Sequence, residues 1–203
     1  MMFPEEKRQS KKALKNYAAF IETHCSEVVE DYRHVKQCLF RGMKARGFAF
    51  IDSSPTNRIP RDTKISIQKK VDDKLQKEGF KALRSNSIFC TSDFSEARAY
   101  PHYSNTRNPY IIFPINGFDY TFSFMYSDFL KDFRWYGYNS LEDAIDDLTP
   151  KEFVRRGSYS RTGLRAALNS GHEVMIHGNY VAIRSNDAGL YVCALLGINI
   201  VRE

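Results

Sequence analysis

Three short stretches of this chain carry side chains suited to one kind of chemistry. Leu39-Phe40-Arg41-Gly42 ends an apolar run on a lone arginine, and Ile88-Phe89-Cys90-Thr91-Ser92 ends another in hydroxyls. Ser170-Gly171-His172-Glu173-Val174-Met175-Ile176 sets a carboxylate where a small-residue loop meets an apolar strand. A guanidinium holds a diphosphate through paired N–H donors, and a glycine beside it lets the ligand approach the backbone. Hydroxyls hold a ribose or orient a carboxylate. Glutamate opening a strand is costly unless it is paired or solvated, and a carboxylate beside a sugar stabilises the cation that forms as a glycosidic bond breaks. Singly, each stretch has an ordinary reading: an edge-strand arginine with a turn glycine, hydroxyls capping the next helix, an exposed edge carboxylate. Together, in this order and each at a strand edge, they suit a site that grips a diphosphate and stabilises a cationic sugar.

The elements that must position them follow from periodicity. Residues 5 to 36 read as helical, with Leu14, Tyr17, Ala18 and Ile21 on one face and Ser26 as N-cap of a second helix through Val28, Val29, Tyr32 and Val35. Cys38 to Phe40 reads as a strand interrupted by Arg41-Gly42, and residues 52 to 63 as a loop. A helix from Lys64 to Lys77 stops at Gly79, the C′ position that favours glycine. Phe89-Cys90 begins a strand that runs out at Thr91-Ser92, and Phe94 to Tyr100 forms a short helix. Strands follow at Tyr110 to Ile115 and Tyr120 to Tyr126, an acidic helix at Leu141 to Leu148 with Thr149-Pro150 after it, and a basic helix at Arg161 to Leu168. The last third reads as strand-rich: Glu173 to Ile176, Tyr180 to Ile183 and Leu190 to Leu196, with turns at Asn179 and Asn186-Asp187. The expected class is α+β, N-terminal helices (1–37) followed by antiparallel strands (38–203), in a single domain over 1–203.

The chain has 203 residues, 42% of them hydrophobic and 14% aromatic, enough for one real core. A net charge of +6 suits an acidic partner such as nucleic acid or a phosphorylated cofactor, and equally a moderately basic soluble protein. The basic face Lys7, Arg8, Lys11, Lys12 and Lys15 reads as solvated. The four cysteines Cys25, Cys38, Cys90 and Cys193 form no CxxC pair, which argues against a metal site or disulfide framework and for a reducing compartment. No signal-peptide core and no membrane-spanning apolar stretch is read, so a cytoplasmic location is expected. Glycine-rich phosphate loops are lacking, and His172 to His177 is one residue too long for HExxH and lies in strand-like sequence, so no metal is expected.

Leu39-Phe40-Arg41-Gly42, Phe89-Cys90-Thr91-Ser92 with Ala97 and Tyr100 after it, and Glu173-Val174-Met175-Ile176 together resemble the mono-ADP-ribosyltransferases of the arginine–serine–glutamate class, which include bacterial toxins and phage-encoded enzymes. The resemblance spans roughly residues 38 to 196 and rests on those three motifs. It implies two packed, roughly perpendicular antiparallel sheets with NAD in the cleft between them. It gives Arg41, with Gly42, the phosphate and ribose contact, Cys90-Thr91-Ser92 the place of the family's Ser-Thr-Ser, and Glu173 that of the catalytic glutamate. Phe94 or Tyr100 would line the nicotinamide pocket, and Arg58, Arg61 and Arg84 are further cations for the phosphates. The first serine is cysteine here, passing the hydroxyl role to Thr91 or Ser92. Two residues before the glutamate stands Gly171, where many toxins carry the Glu or Gln that activates the acceptor; His172 is a substitute base to weigh. The implied activity is transfer of ADP-ribose from NAD to nucleic acid, RNA among them, or protein, with Arg155, Arg156, Arg161 and Arg165 on the acceptor side. A toxin or phage–host conflict factor, with an antitoxin or inhibitor as partner, is in keeping with it. An NAD glycohydrolase and a non-enzymatic basic RNA-binding module are the alternatives.

Overall fold

A computed structural model describes residues 10–44, 46–60, 63–99, 109–127, 138 and 140–200. These form an α+β fold of two antiparallel four-stranded sheets with helices against both.

The first described elements are two helices, α1 (Lys11–His24) and α2 (Ser26–Val35). The Ser10 side chain caps α1 by accepting from the Ala13 N–H. The break between them falls at Cys25, so Ser26 is the first residue of α2 and not its cap. Leu14, Ala18 and Ile21 on α1, and Val28, Val29 and Tyr32 on α2, are buried in the main core. The Tyr32 hydroxyl donates to the Ile112 carbonyl at 2.6 Å, which satisfies a buried phenol and pins α2 to the first sheet.

The first sheet comprises β1 (Leu39–Arg41), β2 (Ala49–Ser53), β4 (Tyr110–Pro114) and β8 (Asn179–Arg184), in the order β1-β4-β8-β2. The second comprises β3 (Ile88–Cys90), β5 (Asp119–Ser123), β6 (Tyr159–Ser160) and β7 (Val174–His177), in the order β3-β7-β5-β6. The period-2 alternation of strands explains how the second sheet is held between two cores. Ile88 and Cys90 on β3, with Val174 and Ile176 on β7, pack into the main core. Phe89 and Met175 turn the other way, into a second core built by α3 (Ile65–Lys77), α5 (Leu141–Asp147) and α6 (Pro150–Arg156). Register places Leu39 against Ile112 and Ile88 against Ile176.

β1 and β3 are each at an edge of their sheet, and those edges meet. Phe40 and Thr91 exchange backbone hydrogen bonds, Phe40 N–H to Thr91 O at 2.7 Å and Thr91 N–H to Phe40 O at 3.0 Å. This bridge sets the two edges side by side and covers each with the other, where bare edges would offer unpaired N–H and C=O groups.

Several expectations need correction. Arg41 belongs to β1 and does not interrupt it. Asp52 and Ser53 belong to β2, a strand the turn-forming residues after it disguise. Thr149-Pro150 starts α6: the Thr149 side chain and Glu152 form a reciprocal capping box, with Pro150 in the first turn, where a missing N–H costs nothing. The basic helix is α7 (Leu164–Ser170), starting later than Arg161. The largest difference is Leu190 to Leu196, expected as a strand and found mostly in the helix α8 (Asp187–Leu195). Asn186 caps it by accepting from the Gly189 N–H, and Gly189, Val192 and Cys193 are buried at helical spacing. A Cβ on Gly189 would sit 2.0 Å from the Arg184 carbonyl oxygen, so only glycine lets α8 pack this close to the end of β8.

Candidate active site

A cavity of about 440 Å³ opens along the seam between the sheets, within the roughly 300–1,000 Å³ of small-molecule sites. Arg41 and Gly42 line it from the end of β1, Cys90 and Thr91 from the end of β3, Asp93, Glu96 and Ala97 from α4 (Phe94–Ala99) and the turn before it, and Gly171, His172 and Glu173 from the approach to β7. Three stretches far apart in the chain thus reach one space.

Each wall has its own reason to be there. The Phe40–Thr91 bridge carries Arg41 across to β3, where its guanidinium donates to the Phe89 carbonyl at 2.8 Å. Cys90 is buried, and burial pushes its thiol up to about 12; nearby Arg41 lowers it and Glu173 raises it, so the group stays a neutral thiol at neutral pH. The Thr91 hydroxyl donates to the Gly171 carbonyl at 2.6 Å and accepts from the Asp93 N–H at 3.0 Å. It therefore ties the β3 end to the loop that presents Glu173. The Ser92 hydroxyl donates to the Leu168 carbonyl at 2.5 Å and does the same job one turn deeper, on α7. Neither hydroxyl caps α4. That role falls to Asp93, whose carboxylate accepts from the Glu96 N–H at 2.9 Å.

Glu173 is an extension of β7. Its N–H donates to the Ser127 carbonyl at 3.0 Å, and its carboxylate faces Arg84 across 3.5 Å. The Arg84 side chain is only 9% exposed, while that of Glu173 is 26% exposed and reaches the cavity. A buried guanidinium needs charge partners. Arg84 has Glu173 on one side and lies 5.0 Å from the Phe89 ring centroid on another. The turn that carries it is held by Asp72 of α3, whose two oxygens accept from the Arg84 and Ser85 N–H groups at 2.7 and 3.0 Å. Burial raises the Asp72 carboxyl, against these hydrogen bonds and the Arg84 charge, which lower it.

His172 adjoins Glu173 and is fixed independently. Its Nδ1 lies 2.9 Å from the Ser123 carbonyl oxygen, and its backbone N–H donates to the Ser170 hydroxyl at 3.1 Å. Gly171 is left-handed at φ 71°, a conformation that favours glycine, and a Cβ there would come no nearer to a neighbour than 3.9 Å, at Asp93.

Not every expected residue gathers here. Ser92 and Phe94 line a neighbouring cavity of about 490 Å³ that shares Asp93, Ser170 and Gly171 with the first. Arg58 and Arg84 flank Phe89, with the Arg58 guanidinium 4.1 Å from its ring centroid, and neither is among the lining residues of the cavity. Arg61 and Tyr100 lie outside the described residues. Arg155, Arg156, Arg161 and Arg165 are not among the lining residues either: Arg165 pairs with Asp31 at 2.6 Å, and Arg161 donates to the Gly79 carbonyl. The sequence reading missed Asp72 and the pairing of Arg84. One signal was available: Gln68, Val71, Asp72 and Leu75 form the i, i+3, i+4, i+7 stripe of α3 that turns inward, and a carboxylate there calls for a partner.

Among the described residues, no group of His, Cys, Asp and Glu side chains is placed to hold a metal ion, and no helix is long and apolar enough to cross a membrane. Compared with models of protein families, with curated proteins and with solved structures, the chain gives no match.

Proposed function

We propose that this protein is an NAD-dependent mono-ADP-ribosyltransferase that cleaves the nicotinamide–ribose bond and passes ADP-ribose to a macromolecule, nucleic acid or protein. The observation that carries the reading is the convergence of Arg41, Cys90-Thr91 and Glu173, from three distant stretches, on one cavity at the seam of two antiparallel sheets. The seam supports the resemblance to the family's NAD cleft, because the same edge-to-edge contact that joins the sheets brings the cation and the carboxylate to one cavity.

In this reading Arg41 holds the pyrophosphate, and Glu173 lies by the ribose and stabilises positive charge on C1′ as nicotinamide departs with the bonding electron pair. Arg84 pairs with Glu173 and aims its carboxylate. Thr91 and Ser92 act at one remove, by fixing the loop and helix around Glu173 rather than touching its carboxylate.

A second reading, an NAD glycohydrolase, is favoured by one feature. Gly171 leaves open space beside Glu173 where a side chain would otherwise guide an acceptor, and water can enter there. Incubating the purified chain with labelled NAD, alone and with total RNA, DNA or cell lysate, tests both. Label on one macromolecular fraction with nicotinamide release supports the transferase and names the acceptor class. Free ADP-ribose alone supports the hydrolase, and no release defeats both.

A further inference from the structure

We infer that His172 is the general base that takes the proton from the acceptor, water or macromolecule, as it attacks C1′; this rests on the proposed NAD chemistry. A carbonyl oxygen only accepts, so the 2.9 Å contact with Ser123 O requires the proton on Nδ1. In the neutral ring this leaves Nε2 as the lone-pair nitrogen. Ser123 is not among the residues that line the cavity, whereas His172 is, so the ring is anchored at one nitrogen away from the site and free to serve it with the other.

The competing groups in the same space are less suited. Arg41 is a permanent cation, and the Cys90 thiol is held neutral by burial. The Asp93 carboxylate caps α4, and Glu96 belongs to the first turn of that helix. Glu173 is committed to the cationic ribose and to Arg84. Imidazole is the side chain most often used as a general base.

The step balances simply. The C1′–N bond breaks and nicotinamide leaves neutral with the electron pair. The acceptor lone pair forms the new C1′ bond, and its proton passes to Nε2 and then to solvent. The acceptor class is thereby narrowed to groups that must lose a proton: water, a hydroxyl, an amide, or an amine or ring N–H of a nucleic acid. A carboxylate or phosphate oxygen would need no base.

The test must separate a base from a mere anchor. His172→Asn puts an amide N–H near the place of Nδ1–H, so it can keep the bond to Ser123 while losing the base. For the full chain with NAD, alone and with total RNA, we expect His172→Asn to retain NAD affinity by calorimetry and to lose roughly 10²–10⁴-fold in turnover. The acidic limb of the wild-type pH–rate profile should vanish with it, and added imidazole should restore part of the rate to His172→Ala. Asn at the wild-type rate with an unchanged profile overturns the base, and so does loss of NAD affinity in the Asn variant. Long-range proton–nitrogen spectra of the wild type give a check free of activity: a protonated Nε2 at neutral pH sinks the proposal. A wild-type chain that releases no nicotinamide defeats the underlying reading, an outcome distinct from all of these.

Discussion

The two walls of the cavity are built differently. Glu173 stands on a layered support: Arg84 behind it, the Phe89 ring against Arg84, and Asp72 holding the turn from α3. Arg41 reaches the cavity from the edge of the other sheet, with one hydrogen bond from its guanidinium to the Phe89 carbonyl. The carboxylate is fixed before any ligand arrives, which suits a group that must oppose a developing charge without reorganising. The arginine keeps most of its five donors for a ligand, which suits a group that binds. Phe89 touches both walls, its ring on the Arg84 side and its carbonyl on the Arg41 side.

Four substitutions or reactions would break or sharpen this contrast. The largest effect is expected for Glu173→Gln: turnover falls by about 10²–10³ and NAD affinity by calorimetry holds, with a lower melting temperature because the buried Arg84 loses the charge of Glu173. Near-wild-type turnover would remove Glu173 from the chemistry. Next comes Arg84→Met, which removes the guanidinium 3.5 Å from the partly buried Glu173 carboxylate. Breaking a buried pair costs about 3–5 kcal/mol, and the partial exposure of Glu173 lowers the expected loss to about 2 kcal/mol, read by urea denaturation together with a fall in turnover. Loss of NAD affinity without loss of turnover would instead make Arg84 a phosphate ligand. Arg41→Ala should weaken NAD binding by roughly tenfold to a hundredfold, the worth of charge-assisted hydrogen bonds, with folding stability nearly unchanged; an unaltered dissociation constant contradicts its assignment. The smallest effect belongs to Cys90. Thiolate is the reactive form, and with the thiol at about 12, iodoacetamide at about pH 8, just below the usual thiol value, should leave Cys90 unmodified in the folded chain and label it after denaturation. Rapid labelling of the native protein would mean that the β1–β3 seam opens.

Much of the site was legible because strand ends announce themselves. Arg41, Thr91 and Glu173 each interrupt or border a short apolar run, and those runs became β1, β3 and β7. The helices were legible where a cap and a stripe agreed, as for α3 with Gly79 beyond its end at φ 81°. The α8 stretch failed because Leu190 to Leu196 is apolar all round: its outward face carries exposed Tyr191 and Leu195 in place of polar residues, so nothing betrays the helical period, and the cap at Asn186 also reads as a turn. Arg84 was legible only as a spare cation, since what it pairs with depends on the docking of α3 and β7. The roles of Thr91 and Ser92 escaped for a similar reason: their partners, Gly171 and Leu168, lie far along the chain.

The Phe40–Thr91 bridge has a consequence for how the protein is made. The residues it brings together, and the Glu173 loop that Thr91 then ties down, come from early, middle and late parts of the chain. Contacts so distant in sequence pay their loop-closure entropy before they return any stability, and they tend to form slowly. The cavity can close only after the late strand β7 has joined β3, so a nascent or half-folded chain holds Arg41 and Thr91 but no assembled cleft. Recovery of NAD binding during refolding should therefore lag behind recovery of helical signal, with ligand capacity among the last properties the chain acquires.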